Sequence, residues 1–504
     1  MKASAAALAA VGVALGFGGL ARSAAAPAPS FAQAQRYATG KEPVSVAIAD
    51  LSADGKPDLA TANRTGGTVS VFLNRGNGRF AAKRDYASGK APYAVSVADL
   101  NGDGKPDLVT TKLLTKASLS VFMNRGDGSF EPKRDYPVDG SNVAIGDLNG
   151  DGRPELVTES YSTSTASVLV NHGDGTFEAR RDYATGKKPD VAAIGDVNGD
   201  GKLDLLTRND STVSVLLNRG DASFEAKHDY ASSDGGGSLE IVDLNGDGNP
   251  DLVFDSYAPV GSVSVMLNAG DGTFRRSRDY MACWYEDPCF DNSQSSAVDE
   301  IGIADLNADG RPDIAAKMSY ELLHQDYEGV VSVFLNRGDG TFRDQRSYRT
   351  GSANDLSVSQ ERLAISDLNG DGRPELVTAD FGLSMLLNRG DGSFRSKLDY
   401  PGGGLVAARD LNADAKPDLL TTGSGSVRVR INTPGLCNVQ YVVGMTLAGA
   451  KRKLARGNCR VGKIRHVYAN PPKKGRVFSQ KPGFGAVLPG GGKVNLAISK
   501  GRLK

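Results

Sequence analysis

The segment Asp99-Leu-Asn-Gly-Asp-Gly-Lys-Pro-Asp107 decides the fold, because it occurs eight times along the chain with small variations. The copies begin at Asp50, Asp99, Asp147, Asp196, Asp243, Asp305, Asp367 and Asp410. Their first residues lie 49, 48, 49, 47, 62, 62 and 43 positions apart. A period of this size predicts an array of small supersecondary units, such as a propeller or a solenoid.

One full unit runs over residues 80–124 and contains four short segments with strand character. These segments are 80–86, 93–98, 108–112 and 119–123, and the turn 124–130 leads into the next unit. They are rich in β-branched residues and are separated by Gly, Asn and Asp, a pattern typical of strands and tight turns. Four short antiparallel strands per period predict the blade of a β-propeller.

The chain therefore predicts an all-β propeller of eight four-stranded blades, with seven as the alternative if one unit is degenerate. The eight units are 31–74, 80–124, 130–171, 177–218, 224–268, 274–336, 342–388 and 394–432. The first unit starts with its Phe…Tyr strand at 31–37, and the last unit ends after its fourth strand. We expect the N-terminal strand to pair with the final three strands and close the ring, because closure protects the sheet edges.

The acidic loops and the Asn-x-Gly-Asp-Gly-x-Phe turns resemble FG-GAP/VCBS repeats, the repeats that also build the propeller of integrin α-subunits. The resemblance spans residues 31–433 and appears in every unit. It implies Ca²⁺ in the acidic β-hairpin loops, up to one ion per repeat.

The residues of the acidic loop independently suit calcium. Counting the first Asp as position 1, positions 1, 3, 5 and 9 carry side-chain oxygens, and position 7 offers its backbone carbonyl. Ca²⁺ takes six to eight hard oxygen ligands, whereas Mg²⁺ keeps waters and a rigid octahedron. The loop is not an EF-hand, since position 12 of the second copy is Thr110 and strands flank it. The alternative is that Asp and Asn simply favour tight turns.

The candidate ligands fall into eight sets, one for each loop. They are Asp50, Ser52, Asp54, Lys56, Asp58; Asp99, Asn101, Asp103, Lys105, Asp107; Asp147, Asn149, Asp151, Arg153, Glu155; Asp196, Asn198, Asp200, Lys202, Asp204; Asp243, Asn245, Asp247, Asn249, Asp251; Asp305, Asn307, Asp309, Arg311, Asp313; Asp367, Asn369, Asp371, Arg373, Glu375; and Asp410, Asn412, Asp414, Asp418. The first loop should bind more weakly because Ser52 replaces Asn. The last is the most doubtful site, because Ala415 replaces Gly where a positive φ is needed.

The tripeptide Arg-Gly-Asp occurs four times, starting at Arg125, Arg219, Arg337 and Arg389. Each copy belongs to the repeated turn, and other turns carry His172 or Ala269 in place of the Arg. We interpret these tripeptides as turn residues rather than as adhesion motifs.

Two insertions interrupt the repeat, at 281–300 and 317–330, and strand order places both on the face opposite the acidic loops. The first contains Cys283, Trp284, Tyr285 and Cys289, and the second contains Tyr320 and Tyr327. Aromatic side chains on a stapled loop are good contacts for a sugar or a protein, so these four aromatics are candidate ligand-binding residues. The alternative is a surface loop whose aromatics only pack it down.

The two ends of the chain differ from the repeats. Residues 1–26 have the pattern of a secretory signal peptide, which predicts an exported protein without a stable membrane span. A permanent membrane anchor is the alternative, although Ala and Gly make the segment weakly hydrophobic for a span. Residues 435–504 hold fifteen Lys and Arg and no Asp or Glu, while the rest, with 44 basic and 59 acidic residues, carries a net charge of −15. Four cysteines in an exported chain predict two local disulfides, Cys283–Cys289 and Cys437–Cys459, with zinc as the rival.

Residues 437–502 predict a separate small α+β domain. The segment after Cys437 predicts an amphipathic helix opening near Thr446, with Ala450 and Leu454 on its buried face. The string Gly475-Arg-Val-Phe-Ser-Gln-Lys-Pro-Gly-Phe-Gly485 resembles a PASTA domain. That resemblance implies a bacterial cell-envelope setting and contact with peptidoglycan or another wall polymer.

No catalytic constellation is evident in the sequence, and the acidic residues are assigned to the loops. The primary hypothesis is a secreted or wall-associated, calcium-binding propeller, non-catalytic and monomeric, that binds a glycan, a cell-wall polymer or a surface protein, with no nucleic acid as partner. Two alternatives stay open. One is a lyase or hydrolase acting on polysaccharide in a channel active site, and the other is a purely structural envelope protein.

Overall fold

A computed structural model of the chain describes residues 28–112, 119–233, 236–256, 261–282, 296–322, 326–343, 345–353, 363–379, 382–395, 397–404, 406–469 and 473–501. Within these ranges the repeats form eight four-stranded antiparallel sheets. The predicted all-β propeller with eight blades is therefore confirmed, and seven blades are excluded. The predicted signal peptide and the pair Cys283/Cys289 lie outside the described residues.

The first four blades follow one another along the chain. After β1 (Gln35–Ala38), blade 1 contains β2 (Pro43–Ala49), β3 (Asp58–Asn63), β4 (Thr68–Phe72) and β5 (Arg84–Ala87). Blade 2 contains β6 (Pro92–Ala98), β7 (Asp107–Lys112), β8 (Leu119–Phe122) and β9 (Arg134–Tyr136). Blade 3 contains β10 (Ala144–Gly146), β11 (Glu155–Ser160), β12 (Thr165–Leu169) and β13 (Arg181–Ala184). Blade 4 contains β14 (Val191–Gly195), β15 (Asp204–Arg208), β16 (Thr212–Leu216) and β17 (His228–Ala231).

The other four blades complete the ring. Blade 5 contains β18 (Leu239–Val242), β19 (Asp251–Ser256), β20 (Ser262–Met266) and β21 (Arg278–Met281). Blade 6 contains β22 (Ser296–Ala304), β23 (Asp313–Leu322), β24 (Asp326–Phe334) and β25 (Arg346–Ala353). Blade 7 contains β26 (Leu363–Ser366), β27 (Glu375–Thr378), β28 (Leu383–Leu386) and β29 (Leu398–Tyr400). Blade 8 contains β30 (Val406–Arg409), β31 (Asp418–Gly423) and β32 (Ser426–Arg430), and β1 is its outer strand.

The ring closes as the sequence predicted. Strand β1 pairs antiparallel with β32, with Tyr37 opposite Val427. The blades are consequently offset by one strand from the sequence units, since each blade takes its outer strand from the start of the next unit. First strands of neighbouring blades contact each other, as β2 does with β6 and β14 with β18, and therefore form the inner wall.

Aromatic contacts join each blade to its neighbour around the ring. The Tyr of an outer strand packs edge-on against the Phe that follows the turn of the next blade, with ring centroids 5.0 to 5.5 Å apart. In the described blades these pairs are Tyr37–Phe80, Tyr86–Phe130, Tyr136–Phe177, Tyr183–Phe224, Tyr230–Phe274, Tyr280–Phe342, Tyr348–Phe394 and Tyr400–Phe31. Such edge-to-face pairs add to the free energy gained by burying the rings.

The C-terminal domain has the predicted α+β architecture. It contains β33 (Cys437–Asn438), α1 (Leu447–Arg456), β34 (Arg460–Val467), β35 (Val477–Lys481), β36 (Val487–Leu488) and β37 (Lys493–Ser499). Thr446 caps the helix by accepting from the Gly449 N–H, and Ala450 and Leu454 are buried as predicted. A disulfide joins Cys437 to Cys459, so this predicted pair is confirmed.

Among the described residues, no helix is both long and apolar enough to cross a bilayer.

Candidate functional site

Each acidic loop links the first strand of a blade to its second, and its position-1 carboxylate organises the curl. In the second loop, Asp99 Oδ1 accepts from the Gly102 N–H at 2.8 Å, and Oδ2 accepts from the Gly104 N–H at 2.7 Å. The bond from position 6 to position 1 occurs in every described loop, with Asp50, Asp99, Asp147, Asp196, Asp243, Asp305, Asp367 and Asp410 as acceptors. The loops therefore share one backbone conformation.

The side chains at positions 3 and 5 stabilise the same loop by accepting from backbone N–H groups. Asn101 Oδ1 accepts from the Asp103 N–H at 3.1 Å, and Asp103 Oδ1 accepts from the Lys105 N–H at 3.0 Å. The position-5 carboxylate makes the same bond in all described loops, through Asp54, Asp103, Asp151, Asp200, Asp247, Asp309, Asp371 and Asp414. In three of the described loops the second oxygen of this group accepts from the lysine at position 7, and in two others it accepts from the amide at position 3.

The side chain at position 7 has a role that sequence reasoning did not assign, since only its carbonyl was considered. Lys105 Nζ contacts Asp103 Oδ2 at 2.9 Å, and Lys56 and Lys202 pair with their own position-5 Asp. Where the residue is Arg, it donates instead to a carbonyl of the Asn-x-Gly-Asp-Gly turn, from Arg153 to His172, Arg311 to Arg337 and Arg373 to Arg389. The acidic loop and the turn of one blade are thus neighbours on the same face.

Position 9 is the first residue of the second strand and is fully buried. Asp107 Oδ2 accepts from the Leu100 N–H at 3.0 Å, and Oδ1 accepts from the Asn124 N–H at 2.7 Å. Burial is the main cause that raises the pKa of Asp107 to about 6, and the negative charges of Asp103 and Asp99 contribute to that rise. The charges at positions 1 and 5 therefore act on the carboxylate at position 9.

These oxygens suit calcium in chemical type, since every side-chain donor is a carboxylate, amide or hydroxyl oxygen. In the described part of the chain, however, no three Asp, Glu, His or Cys side chains gather into a cluster that could hold a metal as they stand. Positions 1 and 5 are held by backbone N–H groups and lysine, and position 9 is bonded through both oxygens. Calcium in these loops consequently remains a proposal.

The last loop has the strained backbone that its sequence predicts. Ala415 at position 6 has φ of 63°, and Ala413 at position 4 has φ of 60°. In the second loop, position 6 is Gly104 with φ of 77°, and position 4 is Gly102 with φ of 72°. Alanine pays a steric cost in this region that glycine does not.

A ring of asparagines joins the loops of adjacent blades. The Asn that ends each third strand donates one side-chain N–H to position 8 of its own loop and the other to position 2 of the preceding loop. Asn124, for example, bonds to the Pro106 carbonyl at 2.8 Å and to the Leu51 carbonyl at 2.9 Å. The described blades all carry this Asn latch, at Asn74, Asn124, Asn171, Asn218, Asn268, Asn336, Asn388 and Asn432.

Sequence reasoning treated these asparagines as strand-end punctuation and missed the latch. Its signal was available, because an Asn at one invariant place in eight units is more than a turn requires. Since the position-9 carboxylate accepts from the same Asn backbone, each latch couples two acidic loops. The conformation of one loop therefore constrains that of its neighbour.

The Arg-Gly-Asp copies behave as turn residues. Asp127 Oδ1 accepts from the Ser129 N–H at 2.9 Å, and Arg125 donates to the Phe130 carbonyl at 2.9 Å. The carboxylate thus stabilises its own turn, and the Arg side chain is also used there.

A second charged series lies at the other end of the second strands, four residues after position 9. In blades 3 to 6 this place holds Glu159, Arg208, Asp255 and Lys317, all buried. Glu159 accepts from the N–H groups of Ser141 and Asn142, which lead into the first strand of the same blade. Burial raises the pKa of Glu159 to about 8. Glu159 and Asp255 accept from backbone N–H groups, Arg208 donates to a backbone carbonyl, and Lys317 pairs with Asp299. The sequence pattern alone did not reveal these charged residues.

The two insertions meet in blade 6. Ser296 pairs with Tyr320 across β22 and β23, and Tyr327 pairs with Ala353 across β24 and β25. The insertions therefore lengthen β22, β23 and β24 on the face opposite the acidic loops, where they were predicted to be neighbours. Trp284 and Tyr285 lie outside the described residues, so their proposed contact role is untested.

The C-terminal domain contacts the propeller at blades 7 and 8. Asn438 exchanges two hydrogen bonds with the backbone of Phe31, at 2.8 and 2.7 Å. Gln440 Oε1 accepts from the Asp399 N–H at 2.9 Å, and Lys453 Nζ contacts Asp399 Oδ2 at 2.7 Å. These buried and half-buried contacts fix the basic domain against the acidic ring.

The eight blades, their acidic loops and the attached α+β domain define a repeat-built β-propeller protein with a C-terminal accessory domain. The FG-GAP-like repeat family matches residues 50–110, 113–158, 147–207, 196–254, 320–378 and 367–421, and the chain belongs to that family. The PASTA domain family matches residues 438–500. Both predicted resemblances are confirmed.

Comparison with solved structures gives matches at low identity. A lectin of Agrocybe aegerita that recognises non-reducing terminal N-acetylglucosamine is 23% identical, with a TM-score of 0.44, over 70% of this chain and 93% of that one. A biofilm matrix protein of V. cholerae is 13% identical, with a TM-score of 0.44, over 81% and 92%. A Lactobacillus plantarum protein is 12% identical, with a TM-score of 0.42, over 73% and 97%. Comparison with curated proteins gave no match.

The repeats and the PASTA domain together indicate an extracellular or envelope protein with a binding or structural role. Glycans and cell-wall components are the partner classes that a PASTA domain indicates.

Proposed function

We propose that this protein is an exported, calcium-stabilised propeller that binds polymers of the bacterial cell wall through its PASTA domain and presents its blades to a glycan or protein. The observation that supports this proposal most strongly is the set of side chains exposed on the C-terminal domain. Its exposed aromatic side chains are Tyr441, Tyr468, Phe478 and Phe484. Among the described residues from 435 onward, eleven Lys and Arg are also exposed.

Aromatic faces and cations suit a polymer that combines sugar rings with negative charge. Sugar rings stack on aromatic side chains, and a cationic surface attracts anionic wall polymers over a distance. Lys500 Nζ lies 5.1 Å from the centre of the Tyr468 ring, which makes a mixed aromatic and cationic patch. No Asp or Glu of residues 435–504 opposes this charge.

The proposal assigns calcium to the acidic loops. The side chains at positions 1, 3, 5 and 9 and the carbonyl at position 7 would hold one ion per loop. Bound Ca²⁺ supplies positive charge that offsets the repulsion among the loop carboxylates and stabilises the folded state by mass action. Because the Asn latches couple neighbouring loops, filling one loop should favour the conformation of the next.

Wall binding can be tested by co-sedimentation of the full chain with purified bacterial cell walls. Tyr468→Ala should weaken binding severalfold, because it removes the aromatic face and the partner of Lys500. Tyr161→Ala is the matched control, since Tyr161 is an exposed propeller tyrosine with Lys188 Nζ 5.8 Å from its ring centre. Equal binding by both variants, or no sedimentation of the unaltered protein, would refute the proposal.

A further inference from the structure

A cavity of about 300 Å³ lies where blade 8 meets the C-terminal domain. Arg36, Arg428 and Arg430 line it from the propeller side, and Gln440 and Gly485 line it from the other side. The cavity therefore exists only because the two domains are docked together.

The three arginines share one face of the blade for a simple reason of register. Arg36 on β1 is the direct cross-strand partner of Arg428 on β32. Arg430 follows two residues later on β32, and side chains two apart point to the same face of a strand. Like charges in directly opposite positions destabilise a sheet, so this arrangement costs folding free energy.

Nothing in the cavity wall offsets that cost. The one carboxylate of the wall, Asp399, contacts Lys397 at 3.2 Å and Lys453 at 2.7 Å. Arg36 donates to two neutral oxygens, the Ser426 hydroxyl at 3.0 Å and the Ser424 carbonyl at 3.3 Å. The cavity is consequently cationic.

Arg430 is the most constrained of the three. It is only 4% exposed, one of its Nη groups donates to the Pro401 carbonyl, and its other group, Nη1, is buried without a hydrogen-bond partner. Burial, followed by the charge of Arg428, lowers the pKa of Arg430 to about 10. A buried cation with an unused donor is expensive unless an anion comes close to it.

We infer that this cavity binds a carboxylate or phosphate group carried by an anionic extracellular polymer. A guanidinium group pairs with a carboxylate or a phosphate through two parallel hydrogen bonds. A cavity lined by three arginines therefore suits either anion. The volume lies at the lower end for small-ligand pockets, so it accommodates one charged unit of a chain. The inference rests on the proposed wall-binding function and adds the chemistry of the recognised group.

The test is calorimetric titration of the full chain with two probes, trigalacturonate for the carboxylate and short poly(glycerol phosphate) for the phosphate. Arg428→Gln should weaken binding of the preferred probe about tenfold or more, because it removes a charge-assisted hydrogen bond. Arg409→Gln is the matched control, since Arg409 is exposed on the same blade and does not line the cavity. It should change affinity less than about twofold.

Unfolding temperature supplies the second readout. Without a probe, Arg428→Gln should be at least as stable as the unaltered protein, because the like-charge pair with Arg36 is gone. Lost binding then reflects the cavity rather than misfolding. The probe should raise the unfolding temperature of the unaltered protein and of Arg409→Gln, but not that of Arg428→Gln.

Two results would overturn the inference: no binding of either probe by the unaltered protein, or equal weakening in Arg428→Gln and Arg409→Gln, which indicates general charge attraction. If neither probe binds while wall sedimentation is normal, only the inference fails. If the probes bind through Arg428 while wall sedimentation is absent, the proposed function fails and the anion site stands.

Discussion

The side-chain amide of Asn74 donates a 2.7 Å hydrogen bond to the carbonyl of Leu411, 337 positions later in the chain. Asn74 belongs to the first blade and Leu411 is position 2 of the eighth acidic loop, so this bond crosses the seam of the ring. The other N–H of the same amide donates to Pro57 in its own loop at 3.0 Å. One side chain thus links the closure of the propeller to the geometry of two candidate calcium loops.

Replacing this side chain should open the seam. Asn74→Ala leaves the buried carbonyl of Leu411 without its donor, and we expect a loss of about 2–3 kcal/mol in the free energy of unfolding. Arg79→Ala, at an exposed residue five positions along in the same turn, should cost less than about 0.5 kcal/mol. Urea denaturation of both variants measures the difference, and similar stabilities would contradict the latch.

A glycine at position 6 of the last loop should make the folded protein more stable. Ala415→Gly relieves the positive φ of 63°, and we expect a gain of about 1 kcal/mol after allowing for the flexibility of glycine in the unfolded chain. Ala408→Gly, in strand β30 of the same blade, should instead destabilise by about 0.5–1 kcal/mol. Denaturation midpoints report both changes. A loss of stability in Ala415→Gly would show that strain at this position is not the limiting feature of the loop.

Glu159 should make stability depend on pH. Its folded-state pKa is about 8 and its ordinary value is 4.5, so between these values the folded state keeps a proton that the unfolded state has lost. Stability is therefore full below about pH 4.5 and falls as pH rises toward 8. The unaltered protein should lose on the order of a few kcal/mol relative to Glu159→Gln between pH 5 and 8.

The Gln variant retains an acceptor for Ser141 and Asn142 and places an amide where Glu159 Oε2 has no partner. Exposed Glu225→Gln is the control and should follow the pH profile of the unaltered protein. Parallel profiles for all three proteins would mean that Glu159 is ionised in the fold.

The disulfide should hold the C-terminal domain. Cys437 and Cys459 lie 22 positions apart, and a cross-link of this loop length typically contributes about 3 kcal/mol. Adding dithiothreitol should lower the unfolding temperature of the unaltered protein toward that of the Cys437→Ala/Cys459→Ala variant. The reductant should lower the unfolding temperature of that variant less, because only the predicted Cys283–Cys289 pair is left in it to reduce. An unaffected unaltered protein would contradict a stabilising role.

The repeat made most of the fold predictable. Eight copies of one loop give the blade number, the Phe…Tyr strand before the first loop gives the closure, and Thr446 with Ala450 and Leu454 gives the helix. These features depend on local pattern, which a single sequence displays directly.

The features that could not be predicted from the sequence depend on contacts between distant segments. Asn74 looks like a turn residue until Leu411 is placed beside it, and Arg36 and Arg428 look unrelated until β1 pairs with β32. Lys105 was read only for its carbonyl, because nothing in the spacing indicates that its ammonium group contacts Asp103. The four charged residues that end with Lys317 were not recognised as a series, because their burial cannot be read from composition.

The central claim is that the acidic loops hold calcium, and ion counting tests it most directly. The full chain should be studied by native mass spectrometry and thermal unfolding, in EDTA and in excess Ca²⁺, beside Asp103→Asn. The account predicts about six to eight bound ions, a large rise in unfolding temperature with Ca²⁺, and one ion fewer in the variant. No bound ion and no rise would mean that the loops are closed by their own hydrogen bonds alone, and the calcium account would be wrong.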